Sequence, residues 1–149
     1  MTSDPAGVVI RAAAERDLVE IERLLASNSL PVDGVEDALP GFMVAEESGR
    51  VIGAIGVEHC GAYGLLRSAI VDAGARNTGV GGQLVERAID TARSNGIQRL
   101  YLLTTTAENY FPRFGFDVAN REQAPASIRE TTEFTTACPA SATMMKLDL

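Results

Sequence analysis

Leu65-Leu66-Arg67-Ser68-Ala69-Ile70-Val71 is a strand-like run, and Arg76-Asn77-Thr78-Gly79-Val80-Gly81-Gly82 follows it a few residues later. Beyond the glycines, Leu84, Val85, Ala88, Ile89 and Ala92 recur at helical spacing and predict an amphipathic helix. A strand that turns through glycines into a helix start aims several unpaired backbone N–H groups outward, with the helix dipole behind them. That arrangement is a phosphate cradle. A side chain at Gly79 or Gly81 would hold an anion away from those amides. A tight strand–helix turn without a ligand has the same local appearance, so the rest of the chain must decide.

Established nucleotide patterns fit poorly, since neither Gly-x-Gly-x-x-Gly nor Gly-Lys-Ser/Thr occurs. Arg/Gln-x-x-Gly-x-Gly/Ala does fit, with Arg76, Gly79 and Gly81 in the defining places. This resembles the pyrophosphate-binding motif of the GCN5-related N-acetyltransferases (GNAT family), which hold acetyl-CoA. Tyr110-Phe111-Pro112-Arg113-Phe114-Gly115-Phe116 is similar to a second motif of that family, Phe-Tyr-x-x-x-Gly-Phe.

The composition is that of an ordinary globular protein. The 149 residues suit one domain with a single core, read here as residues 8–149 behind a loose tail, Met1–Gly7. Apolar runs fall short of the roughly 18 residues that a membrane span needs. The net charge of −7, with Lys146 the only lysine, disfavours nucleic acid and anionic membranes as partners. Cys60 and Cys138 are too few for a disulfide framework or a metal cluster. No export signal is legible at the start, so a cytoplasmic location with free thiols is expected. Cys138 is expected to be a buried structural cysteine.

Periodicity predicts a first strand at Val8–Arg11, a helix over 15–28 and one or two helical turns at Val35–Leu39. Strands Phe42–Glu46 and Val51–Glu58 flank the hairpin signal Glu47-Ser48-Gly49-Arg50, and a strand at Gly64–Val71 follows the loop His59–Tyr63. The long helix ends at Asn95-Gly96, and Arg99–Thr104 reads as a buried strand. Thr105-x-x-Glu108 has the form of a capping box opening a short helix that Pro112 should kink. A strand from Gly115, a helix over Pro125–Ala137 and a strand at Ala142–Leu149 complete the chain. The fold class is therefore α/β (α+β): a mixed sheet with helices on both faces and a right-handed parallel strand–helix–strand unit over 65–104.

The order of elements resembles the acetyltransferase family from about residue 8 to 149. The resemblance implies that the strand at Ala69, Ile70 and Val71 pairs with the pantetheine arm, and that it splays from the strand at 100–104 to admit the thioester. Arg76, Asn77, Thr78, Gly79, Val80, Gly81 and Gly82 would hold the pyrophosphate. A primary amine would attack the acetyl group directly, with no metal and no covalent enzyme intermediate. The position at which the family usually carries a tyrosine general acid holds Phe111, and Tyr110 stands beside it. Thr104-Thr105-Thr106 replaces an asparagine often found just before.

Three segments resemble a narrower group, the arsenic-resistance N-acetyltransferases (ArsN-type). They are Leu65-Leu66-Arg67-Ser68, Tyr101–Glu108, and Ile128-Arg129-x-Thr131-x-Glu133-Phe134 running to Cys138-Pro139-Ala140-Ser141-Ala142. That group also carries phenylalanine at the place of Phe111. Its wider relatives acetylate glutamate-like amino acids, among them phosphinothricin and organoarsenical analogues.

An amino-acid acceptor needs a cation for its carboxylate, and arginine binds one bidentately. Arg67, mid-strand among apolar neighbours, is the first candidate, with a salt bridge across the sheet as the alternative. Arg129 is a second, although Glu133 four residues on could pair with it along a helix. Arg113 reads as a phosphate contact or a solvated charge. For the base, Glu58 ends a strand near the expected cleft, and His59 is the only histidine. Tyr110 is the candidate acid. Thr104 to Thr106 could bond substrate, with Thr105 expected as a helix cap. The small-molecule amine is the expected partner, and dimers are common among similar proteins, so a homodimer is one expectation. A CoA-binding sensor without turnover, its Phe111 marking lost catalysis, is the alternative function.

Overall fold

The computed structural model describes residues 7–30, 32–76, 78–137 and 141–149. Seven strands form one mixed sheet in the order β1-β2-β3-β4-β5-β7-β6. The strands are β1 (Val8–Ala12), β2 (Phe42–Glu47), β3 (Arg50–Cys60), β4 (Tyr63–Val71), β5 (Arg99–Thr104), β6 (Asp117–Ala119) and β7 (Thr143–Asp148). The helices are α1 (Leu18–Ser27), α2 (Val35–Ala38), α3 (Val80–Ser94) and α4 (Ala126–Arg129). All pairings are antiparallel except β4 with β5.

The two-residue period of the strands sorts side chains onto two faces. Met43 and Ala45 of β2 and Leu100 and Leu102 of β5 meet the stripe Val80, Leu84, Val85, Ala88, Ile89 and Ala92 of α3. Phe42 and Val44 of β2 point the other way, onto Ile21, Leu24 and Leu25 of α1 and Val35 of α2. Tyr101 and Leu103 pack with Leu65, Ile128 and Met144 around α4. Each fully buried leucine or isoleucine in these layers stabilises the fold by about 1.5–3 kcal/mol.

Expected strand bounds hold to within a few residues, and the hairpin at Ser48-Gly49 has both residues at positive φ, 52° and 79°. Such a turn matches the right-handed twist of the flanking strands. Four readings are corrected. The loop expected over His59–Tyr63 narrows to Gly61-Ala62, because β3 and β4 stay paired as far as Cys60 and Tyr63. Thr105 does not cap a helix; Thr104 Oγ1 accepts from the N–H groups of Thr106, at 3.3 Å, and Ala107, at 2.9 Å. Glu108 is drawn away by Thr143, whose hydroxyl donates to it at 3.2 Å, so no capping box forms and a 3-10 turn, Phe111–Phe114, stands where a helix was expected. The helix expected over Pro125–Ala137 is broken into the short α4 and a π-type turn, Glu133–Ala137.

Candidate active site

Parallel pairing of β4 with β5 covers only Tyr63 with Arg99, Gly64 with Leu100 and Leu65 with Tyr101. Beyond that point β4 stays paired with β3 and has no ladder to β5. Ser68, at φ 58°, lies in a bulge where β4 passes two residues, Ser68 and Ala69, opposite Ile55. The extra residue turns the strand and adds to the divergence. A cavity of about 530 Å³ opens between the splayed strands, walled by the β4 segment 66–71, the β5 end 102–104, α3 and the turn at Tyr110-Phe111. The β4 segment Ala69, Ile70 and Val71 borders it without a β5 partner, and the Val71 carbonyl accepts from Arg76 Nε at 3.3 Å.

At the mouth, Gly79 caps α3 in the left-handed region, φ 90°, and its carbonyl accepts the first helical bond, from the Gln83 N–H at 3.1 Å. The N–H groups of Val80, Gly81 and Gly82 precede that bond and have no partner within the helix. No acidic residue sits in the first turn of α3 to oppose the dipole. A Cβ built on Gly81 would stand 3.5 Å from both the Tyr110 hydroxyl and Val71, which line the inner cavity with it. Thr78 donates through its hydroxyl to the Ala75 carbonyl, which shapes the approach. Arg76 is exposed; its Nε donates to the Val71 carbonyl at 3.3 Å and its Nη2 to Asn28 Oδ1 at the end of α1. Asn77 lies outside the described residues, as does Cys138. The β4 edge without a β5 partner, the amide cradle and the absent Cβ together fit the pantetheine and pyrophosphate of a coenzyme A thioester.

Arg67 occupies the wall of this cavity with its side chain 0% exposed. Its Nη1 donates to Glu58 Oε2 at 3.0 Å and its Nε to Ser68 Oγ at 3.0 Å, with Glu133 Oε1 at 3.6 Å from Nε. The salt bridge across the sheet is therefore formed, to Glu58. One donor is left: Nη2 is buried and has no hydrogen-bond partner among the described residues. A buried charged donor without a partner is costly and marks a place where a ligand or water belongs.

Glu58 faces a second, outer cavity of about 430 Å³, shared with His59, Asp37, Gly34 and Thr132. A Cβ on Gly34 would come 3.2 Å from Arg67 Nη1, so the guanidinium lies in the partition between the two cavities. Cys60 is half-buried beside Glu58, and burial pushes its thiol up to about 11, away from reactivity.

Phe111 lies in the inner cavity wall, edge-on to Phe116 at 5.7 Å between ring centroids. Tyr110 also lines the cavity, its ring 5.3 Å from that of Phe111 and under the Arg113 guanidinium at 4.5 Å. Burial raises the Tyr110 pKa, so the hydroxyl keeps its proton. Arg113 also donates through Nε to the Tyr110 carbonyl at 2.9 Å, which holds it against that residue. Thr104 lines the cavity, with its hydroxyl engaged in the turn. Arg129 is exposed and lines neither cavity, a departure from its expected substrate role. The helix break after it also removes the expected i,i+4 pairing with Glu133.

Glu133 is the site residue that sequence reasoning missed. Its side chain is 6% exposed, and burial pushes its carboxyl up to about 7, with Glu58 raising it further and Arg67 opposing. The signal was present as an acid amid Ile128, Thr131 and Phe134, but the continuous helix assigned it to Arg129.

A sequence model described as the acetyltransferase (GNAT) family matches residues 11–116, more than half of the chain. An amino-acid acetyltransferase of Neisseria meningitidis is 29% identical over 101 residues, which cover 64% of this chain and 22% of that protein. The chain thus spans about a fifth of the length of the curated relatives it matches first. Rv2747 of Mycobacterium tuberculosis, solved in complex with CoA, superposes with a TM-score of 0.81 at 24% identity, covering 95% of this chain and 99% of that one. An N-acetylglutamate synthase of Neisseria gonorrhoeae, solved with coenzyme A and N-acetyl-glutamate, gives a TM-score of 0.83 at 24% identity over 98% of this chain and 36% of that one. Both superpositions establish a shared fold.

Proposed function

The chain belongs to the acetyltransferase (GNAT) family, and from that premise we propose that it transfers the acetyl group of acetyl-CoA to the primary amine of a small amino-acid-like molecule. The observation that carries this reading is the coincidence, on one cavity, of a β4 edge without a β5 partner, Gly81 of the α3 N-terminal turn and a buried Arg67 with one unused donor. The N–H groups of the cradle and the dipole of α3 would hold the pyrophosphate, and Ala69–Val71 the pantetheine arm. Arg67 Nη2 would take the acceptor's carboxylate in a charge-assisted bond once the cavity wall shifts enough to uncover it, while Glu58 and Ser68 hold the rest of the guanidinium. Tyr110 offers the phenol nearest the cradle for protonating the departing thiolate. Thr104 lines the same wall. Glu58, committed to Arg67, supports the site from behind.

Within that class, the amino-acid acetyltransferase relatives favour an amino-acid acceptor. The segments around Arg67, Tyr101–Glu108 and Ile128–Phe134 favour the arsenic-resistance subgroup, with phosphinothricin or an organoarsenical analogue as the toxin acetylated. The reaction proceeds by direct attack in one catalytic domain, residues 8–149, without a metal. The protein acts in the cytoplasm, as a homodimer or alone; no helix among the described residues is long and apolar enough to cross a membrane.

The test is an Arg67→Lys variant assayed for the acceptor KM and, separately, for the Kd of acetyl-CoA by calorimetry. Lysine keeps the charge and loses the planar fork. The expected result is a KM raised by about tenfold or more, the worth of a charged hydrogen bond, with the Kd of acetyl-CoA nearly unchanged. An equal loss of both affinities contradicts the carboxylate role.

A further inference from the structure

Among the described residues lining the inner cavity, Glu133 carries the only carboxyl group. It comes from the π-type turn before β7, and Arg67 of β4 lies against it, with Ser68 bonded to the same guanidinium edge. The charged groups facing it are Arg67, through Nε at 3.6 Å, and Glu58 of β3 behind that guanidinium. His59 lines the outer cavity with Glu58, and not the inner one.

We propose that Glu133 is the catalytic base that takes the proton from the acceptor's ammonium group, and that Arg67, braced by Glu58, is the residue that positions it. The inference rests on the transferase reading above. In an α-amino acid the ammonium and the carboxylate stand one carbon apart. Arg67 Nη2 is adjacent to the guanidinium edge that faces Glu133, so a carboxylate held there brings the ammonium towards Glu133. The partition of duties follows from the ion pairs: Glu58 is bound to Arg67 at 3.0 Å, whereas Glu133 is more loosely held. The step balances simply. Glu133 accepts one proton from the ammonium and later releases it to solvent. The freed lone pair forms the C–N bond to the acetyl carbon as the C–S bond breaks. The electron pair leaves on sulfur, which takes the Tyr110 proton, and the surplus proton on nitrogen restores that phenol, giving amide and thiol. Burial suits Glu133 to this work, since a base is most effective when its pKa lies near the operating pH, and this carboxyl is pushed up to about 7.

The experiment compares the wild type with Glu133→Gln and Glu133→Asp, measuring kcat/KM for thiol release with glutamate across pH and the Kd of acetyl-CoA. Wild type should show an acidic limb near pH 7. Glu133→Gln should lose about 100-fold or more in kcat/KM, lose that limb, and keep its acetyl-CoA affinity. Glu133→Asp should recover part of the rate. A glutamine variant with the wild-type rate and limb overturns the inference while leaving the transferase reading standing. A wild type that turns over no amine defeats the transferase reading and this inference with it. Infrared titration of the carboxyl band needs no substrate. A band that titrates near 7 in the wild type and is missing from Glu133→Gln supports the assignment. The absence of any such band overturns it.

Discussion

Leu65 and Tyr101 are the last register partners of the parallel β4–β5 ladder, and every residue assigned to the acyl donor lies beyond them. The divergence follows from local causes. The bulge at Ser68-Ala69 turns β4, and Leu66 and Leu102 both pack towards α3 without closing the gap. The cavity is thus a consequence of strand geometry, and α3 opens at its mouth with its first N–H groups unspent.

Gly81→Val should abolish acetyl-CoA binding and leave thermal stability nearly unchanged. The new Cβ meets only ordinary contacts at 3.5 Å, so the fold accommodates it while the side chain fills the cradle. Gly79→Val should lose binding and also stability, by about 1–2 kcal/mol, because its φ of 90° disfavours an L side chain. Calorimetry with acetyl-CoA and urea denaturation separate the two; unchanged affinity in Gly81→Val would remove the cradle from the account.

Replacing Arg67 by alanine leaves Glu58 and Glu133 facing each other without a cation. Breaking a buried pair from one side typically costs about 3–5 kcal/mol. Urea unfolding at neutral pH should show a loss of that order, smaller in the Arg67→Ala, Glu133→Gln double variant. An additive double variant would mean that the two residues do not interact.

The raised Glu133 carboxyl has a stability signature. Its pKa moves from the ordinary 4.5 to about 7 on folding, so the native state binds more protons between those values. Stability from this group is therefore fully present below about pH 4.5 and is lost as pH rises to about 7. The loss is about 3 kcal/mol at most. The difference in unfolding free energy between wild type and Glu133→Gln, followed across that range, should trace this slope, and a flat difference would contradict it.

Phe111→Tyr should change kcat modestly. Phe111 packs edge-on against Phe116 and Tyr110, so an added hydroxyl enters an apolar wall arranged without it. Tyr110 already offers a phenol on the same cavity, so a second hydroxyl beside it adds little. A gain above about 100-fold, the lower end of general acid catalysis, would mean that acid catalysis was missing and limiting.

The glycine turn into α3 was legible because its requirements are local: Gly79, Gly81 and the stripe from Leu84 lie within a few turns of chain, and glycine reports backbone conformation directly. The splay was legible only through family resemblance. Neither Ser68, a non-glycine at φ 58°, nor the short Leu65–Tyr101 ladder announces itself by composition. The Glu58–Arg67–Glu133 group was hidden by an assumption of continuity. Treating Pro125–Ala137 as one helix put Arg129 and Glu133 on one face; the break after Arg129 sends one to solvent and the other into the cavity. Thr104 and Thr105 were exchanged for a similar reason, since either hydroxyl can cap a turn and only the path of β5 decides which one faces the N–H groups.

The most direct measurement is free-thiol release from acetyl-CoA across a panel of primary amines that includes glutamate, phosphinothricin and an organoarsenical analogue, with the acetylated product identified by mass. The account predicts turnover with at least one glutamate-like member and none with amines that lack a carboxylate or an equivalent acidic group. Tight acetyl-CoA binding without turnover on any amine would contradict it and point to a CoA-binding module instead.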